Sequence, residues 1–326
     1  MTMSMHGLLC AALVAPASWN TGAQAQAYPT KPVRVIVPYV AGGAADITAR
    51  TLSQKLSESF GVSVVVDNRP GANGGIGTDF VAKSAPDGYT LLLDASGPVV
   101  VNPVLYAKVP YDPVKDLAPI SQTTSFMYVL IVPTSSPITS FKELVALAKA
   151  RPAQLSYGST GIGGGNHLAG ELLALMTGTK LTHVPYKGTA AALSDLLGGQ
   201  LSFMFDTIIT TSAQAKAGKV RAFAVSSLKR ATTLPDIPTL NELGLKGFEI
   251  TQWQGFLAPS GTDRAIINRL HQEVVKALRQ PDVIERLATQ GGNEIIGNTP
   301  EEFARVIQSD LGMYAKLIKD AGIKAE

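Results

Sequence analysis

From Val33 onward, short apolar runs alternate with amphipathic stretches, and this alternation restricts the fold more than any other feature of the chain. The run "VRVIVPY" reads as a buried strand. The stretch after it places Ile47, Leu52, Leu56 and Phe60 roughly on one face, and Gly61 is able to end that helix. "VSVVVDN" and "TLLLDAS" follow as strands, then a proline-punctuated stretch, "VNPVLYAKVPYDPVKDLAP", that predicts irregular chain. "FMYVLIVP", "QLSYGS", "LTHVPY", "LSFMFD", "VRAFAVSS" and "FEITQWQGFLAP" complete the strands, with helical stretches between them. "LPDIPTLNELG" predicts a loop with a short helix. "SFKE" at Ser140 and "TPEE" at Thr299 have the spacing of helix-capping boxes. Strand–helix alternation implies an α/β fold with parallel sheets covered by helices on both faces. Ligands then bind beyond the carboxyl ends of the strands.

Length favours about two domains on the prior of about 150 residues each, for a chain of 326. Phe126–Val132 and Ile250–Leu257 are the candidate crossings between them, which makes the first lobe discontinuous. A net charge of +3 without a basic cluster argues against a nucleic-acid partner. The first 27 residues hold no Lys, Arg, Asp or Glu and carry a short apolar core, "LLCAALVA", before "AQA". They read as a secretory signal cleaved after Ala27, although the n-region lacks its usual positive charge. Cys10 is the only cysteine, so the mature chain has neither disulfides nor thiolate metal sites.

Two glycine-rich turns stand between a strand and a helix: "YVAGGAAD" (Tyr39–Asp46) and "GSTGIGGGNH" (Gly158–His167). Such turns bare backbone N–H groups at a helix N-terminus, where an anion is favoured. Neither contains the lysine of a P-loop. Neither has the spacing of a dinucleotide fingerprint, though Asp67 sits where a ribose-binding acid would. Ser159 in "YGSTG" lacks the glycine two residues before it that a hydrolase elbow needs. His167, His183 and His271 form no metal-ligand spacing.

Some residues carry two readings. Asp46 fits the first turn of a helix, or contacts a ligand. Asp206 caps the next helix, or contacts a ligand. His167 touches a ligand, or braces the turn. Tyr39, Ser96 and Tyr186 close strands and are candidate hydroxyl donors.

These stretches, together with "VVVDNRPGANGGIGTDFVAKSAPDGYTLLL", "HLAGELL", "HVPYKG", "LLGGQLSFMFD", "GKVRAFAVSS" and "LPDIPTL" in that order, resemble the Bug family. Its members are the substrate-binding proteins of tripartite tricarboxylate transporters. The resemblance covers essentially all of residues 28–326.

It implies a two-lobed type II periplasmic binding protein, each lobe a mixed, mostly parallel sheet flanked by helices. Residues 28–128 with 255–326 would form one lobe and 129–254 the other. It implies a non-enzymatic receptor without cofactor or metal, holding a small organic acid by its carboxylate. The contacts expected are Tyr39, Gly42, Gly43, Asp46, Ser96, Gly163, Gly164, Gly165, His167, Tyr186 and Asp206. The partner is a membrane permease or, alternatively, a sensor kinase. Two departures stand out: Val40-Ala41 where the family carries prolines, and Gly164 where it carries Thr or Ser.

Overall fold

The computed structural model describes residues 28–186 and 188–324; the stretch expected to be a signal segment, with Cys10, lies outside the described residues. In the first lobe, β1 (Val33–Val37) pairs in parallel with β2 (Val64–Asn68) and β3 (Thr90–Ala95). In the second, β5 (Ser156–Ser159) pairs in parallel with β6 (Thr182–Pro185) and β7 (Phe203–Thr207). The expectation of mostly parallel sheets is met only at these outer ends. The middle is antiparallel, because two long strands run through it.

β4 (Leu117–Pro133) lies against β9 (Thr251–Pro259) from Leu117 to Met127. From Tyr128 it lies against β7 and β8 (Val220–Val225). β9 also pairs with β3, and β10 (Glu294–Ile295) adds to β4. β4 is thus a strand of both lobes.

Its first three residues, Leu117–Pro119, fall in the stretch expected to be irregular, and the strand continues through Ser121, Thr123 and Thr124, which are all buried. The Thr123 hydroxyl donates to the Gln254 carbonyl and that of Ser121 to the Asn298 carbonyl, so their polarity costs little.

Strand alternation divides the core. Leu91 and Leu93 face α1 (Ala44–Phe60) and α8 (Arg264–Leu278), whereas Leu92 joins the opposite cluster. The C-terminal helix α10 (Pro300–Asp320) packs there through Phe303, Ile307, Tyr314 and Ile318. The Phe303 ring meets Trp253 edge-on at 4.9 Å. Thr299 and Glu302 form the full capping box expected of this helix. Ser140 accepts from the Glu143 amide to cap α4 (Phe141–Ala150), but Glu143 turns to the Thr139 amide instead of completing the box. The short helix expected in "LPDIPTLNELG" reduces to a turn closed by the Leu243 amide on the Thr239 carbonyl.

In the second lobe an aromatic column runs from α5 (Gly165–Thr177) into the sheet. His167 stacks on His183 at 4.1 Å between centroids, His183 on Tyr157 at 5.1 Å, and Tyr157 on Phe203 at 5.5 Å. Burial, then the neighbouring His183, pushes His167 down to about 3; burial pushes His183 down to about 4. Both rings are neutral at physiological pH.

The crossing is tied by one serine. Ser226 Oγ accepts from the Tyr128 amide at 2.9 Å and donates to the Ile250 carbonyl at 2.5 Å. Its own amide donates to Tyr128 and its carbonyl accepts from the Ile250 amide, each at 2.9 Å.

Ser226→Ala leaves a buried N–H and a buried carbonyl without that partner. The expected cost is about 2–4 kcal/mol, read from the denaturant midpoint; an unchanged midpoint would refute the clasp. The histidine column predicts a second effect. At these two rings the native state binds fewer protons than the unfolded chain below pH 6.5, so their contribution to stability falls as pH drops from there toward 4. A His167→Gln, His183→Gln double variant should flatten that part of the pH–stability curve, followed by thermal melts.

Candidate functional site

The turn after β1 is braced from within. Gly42 has φ +83° and donates its N–H to Asp46 Oδ2 at 2.9 Å. Asp46 also accepts from Arg50 Nε at 3.0 Å and from Asn68 Nδ2 at 3.0 Å, and Asn68 reaches the Tyr39 carbonyl. Burial works to raise the Asp46 carboxyl, but Arg50, the Gly42 amide and Asn68 outweigh it and hold the group below its usual range. Asp46 therefore holds the loop, and the Gly42 amide is already engaged. Gly43 caps α1 without a side-chain acceptor, which leaves the first-turn amides to another partner.

The turn after β5 has the same design. Asn166 Oδ1 accepts from the Thr160 amide at 3.2 Å and from the His167 amide at 3.1 Å. The Gly163 amide donates to His167 Nδ1 at 3.1 Å, so His167 braces the turn and its proton sits on Nε2. The Gly164 amide donates to the Gly161 carbonyl. Gly164 caps α5 with no side-chain acceptor, so the N–H groups of Gly165 and Asn166 open that helix unassisted. A Cβ at Gly164 would stand 2.7 Å from Thr160 Oγ1. The Thr160 hydroxyl thus fills the space where a side chain at 164 would go.

The second turn meets three other walls. Gly163, at φ +80°, packs so closely that a Cβ there would stand 2.5 Å from Leu105 Cδ2 and 3.5 Å from Asn73 Nδ2. Leu105 ends α3 (Asn102–Leu105), which continues a buried π-helical turn, Gly97–Val101. Such turns recur at functional sites. A Cβ at Gly165 would stand 2.5 Å from both Gln252 Nε2 and Tyr128 Oη, on the two crossing strands. Across the junction the Tyr106 hydroxyl donates to the Ile162 carbonyl at 3.2 Å.

On the first-lobe side, the Tyr39 hydroxyl lies 3.7 Å and Asn73 Nδ2 3.9 Å from where a Gly97 Cβ would be. Asn73 Nδ2 donates to Asn102 Oδ1 at 2.9 Å. Ser96 precedes Gly97, and its Oγ is buried without a partner.

Tyr39, Gly163 and Gly165 therefore converge on the junction of the lobes, and Ser96 adjoins it in sequence beside Gly97. Other expected contacts are committed locally. The Tyr186 hydroxyl donates to Asp195 Oδ2 at 2.7 Å. Asp206 accepts from the Thr207 amide at 2.8 Å and from the Thr210 and Thr211 hydroxyls at the start of α7 (Ile208–Lys216). Burial pushes its carboxyl up to about 6, the three donors working against it.

Asn73, Asn102, Tyr106, Tyr128 and Gln252 were not anticipated. "RPGANGG" carried the one usable signal, since it is a third glycine turn between a strand and a helix. A separate cavity of about 820 Å³ opens on the outer face of the second lobe among Phe141, Val145, Met176, Phe223 and Leu243. Its polar lining is Lys142, Lys149, Thr177 and Ser140, the last already capping α4, and it is remote from both turns. Bare helix N-termini make the lobe junction the better anion site.

Residues 48–323 match the family described as "Tripartite tricarboxylate transporter family receptor". Protein BugT of Bordetella pertussis is 37% identical over 96% of this chain and 94% of its own. The structure of Rpa4515 from R. palustris with adipate is 35% identical, with a TM-score of 0.87 over 91% of this chain and 99% of its own. That of MatC from Rhodopseudomonas palustris with bound malate is 30% identical, with a TM-score of 0.83 over 89% and 100%. With the family matched over most of its length and the two-lobed fold shared, the chain belongs to the tripartite tricarboxylate transporter family of receptors, which are binding proteins and not enzymes.

Proposed function

We propose that this protein is a periplasmic solute receptor that takes a small organic acid between its lobes and delivers it to a tripartite tricarboxylate-type membrane transporter. The observation that carries this is the N-terminus of α5, where the Gly165 and Asn166 amides have no side-chain cap, with the turn packed at Gly163 against Leu105 and Asn73 of one lobe and at Gly165 against Gln252 and Tyr128 of the crossings. A carboxylate placed there meets backbone N–H groups and the positive end of a helix dipole. Tyr39, Ser96 and Asn73 add neutral donors from the other side. Gly43 at the start of α1 contributes a second such terminus. Adipate and malate in the two related structures are dicarboxylates, which fits a site with donors on both walls.

The moving bodies would be residues 28–128 with 255–326, and 129–254, turning about the two crossing strands. Export would follow cleavage near Ala27.

A thermal-shift panel of the mature chain against malate, adipate and other organic acids, each beside its amide, tests the reading. Ligand at 100 times its dissociation constant adds about 2.7 kcal/mol, a shift of several degrees. A rise with an acid but not its amide supports carboxylate capture; equal shifts with both would sink it. Gly163→Ala should weaken binding of the responding acid at least tenfold by calorimetry, because the φ of +80° and the approach to Leu105 both resist a Cβ. Undiminished affinity would remove this turn from the site.

A further inference from the structure

The outer cavity of the second lobe takes no part in the reading above. Its volume of about 820 Å³ falls in the range of small-molecule sites. One wall is α4. Phe141 and Val145 stand one helical turn apart on it, and Lys142 and Lys149 two turns apart, roughly 10 Å along the axis at 1.5 Å per residue. Leu144 and Ala148 of the same helix are buried in the core. The helix therefore has a second apolar face, and that face is left half-buried. Met176 from the last turn of α5, Phe223 of β8, and Leu243 and Leu245 from the turn after β8 complete the apolar lining. Leu243 is 38% exposed. Apolar side chains gathered round a hollow and left facing water mark a surface that a partner covers.

Polar bonds hold this hollow open. Ser140 caps α4 at the Glu143 amide. Across from it, Glu242 accepts from the Thr239 amide at 2.8 Å and from Arg230 Nε at 2.9 Å. The Leu243 and Leu245 amides donate to the Thr239 and Leu240 carbonyls at 3.1 and 3.0 Å, and the Gly247 amide to Asn241 Oδ1 at 3.0 Å. The two leucines are thus carried on a braced turn.

The charge on the lining has one sign. Lys142 and Lys149 contribute to it, and no Asp or Glu does. Among the described residues neither lysine makes an ion pair. The acids beside them in sequence or across the hollow are spent elsewhere: Glu143 accepts from the Thr139 amide and hydroxyl at 2.8 Å each, and Glu242 pairs with Arg230. A sugar or polyol placed here would press hydroxyls against Phe141, Val145 and Leu245 with nothing to bond them, which is costly. A molecule with an apolar body and one anionic end meets partners for both parts.

We propose that this cavity is a second binding site, for an amphipathic monocarboxylate whose apolar body lies against Phe141, Val145, Met176 and Leu245 and whose acid group pairs with the lysines of α4. Every lining residue falls between 140 and 245, within one lobe, so occupancy needs no closure of the lobes. The site stands or falls independently of carboxylate capture at the junction.

Calorimetric titration of the mature chain with hexanoate, octanoate and decanoate tests it, with octanol as the neutral counterpart of octanoate. Affinity should rise about tenfold with each added pair of methylenes, as apolar burial requires. Octanol should bind more weakly than octanoate, and octanoate affinity should fall as salt is raised. Lys142→Glu combined with Lys149→Glu, at two exposed positions, should weaken octanoate about tenfold and leave octanol unchanged. Ala146→Trp, from an exposed position on α4, sets an indole into the hollow and should abolish binding of both. A melting temperature close to the wild type's shows that each variant is folded. Octanoate binding that survives Ala146→Trp would overturn the proposal. So would the absence of binding by all three acids, or an affinity indifferent to chain length and to the two lysines.

Discussion

One continuous strand carries the architecture. β4 spends its first residues hydrogen-bonded to β9 and its last to β7 and β8, and the exchange occurs between Met127 and Tyr128. A strand cannot leave one sheet and enter another without exposing backbone groups at the changeover. Ser226 answers that demand with one side chain, by receiving the Tyr128 amide and meeting the Ile250 carbonyl. The same changeover places Tyr128 and Gln252 against Gly165. The joint between the lobes and one wall of the candidate site are therefore built from the same few residues.

Much of this was legible in the sequence. Alternating periodicity located the strands, and the Thr299 box located α10, because these depend on neighbours within one turn or one pleat. What escaped was set by distant partners. The strand β4 begins inside a stretch expected to be irregular, and its polar residues Ser121 and Thr123 find their hydrogen-bond partners only at Asn298 and Gln254. The glycine turns were readable as sites because their chemistry is backbone chemistry. Asn73 and Asn102 were not, since their pairing spans 29 residues. For His167, Asp46 and Asp206, local sequence allowed either a brace or a ligand contact; the bracing bonds, with Gly163, Gly42 and Thr210, depend on how each turn folds.

The two departures from the family pattern have different physical standing. At Gly164 the volume that a side chain would need is taken by the Thr160 hydroxyl, so a polar group is present although residue 164 has none. Val40 is 52% exposed and Gly42 meets nothing within 4 Å of a built Cβ, so the first turn is open where the second is packed. Asp46 and Asn68 shape that open turn through hydrogen bonds, a task the ring of a proline would perform by restricting the chain itself.

The pairing of β3 with β9 also governs how the chain assembles in time. Leu92 meets Leu257, and the whole second lobe lies between them in sequence. The first lobe cannot close its sheet until the second has been threaded, and α10 can seal the core only after that. Contacts of such separation form slowly, because the loop-closure entropy must be met before they contribute. The lobe that holds the first strands stays without its central strand until the last part of the chain arrives.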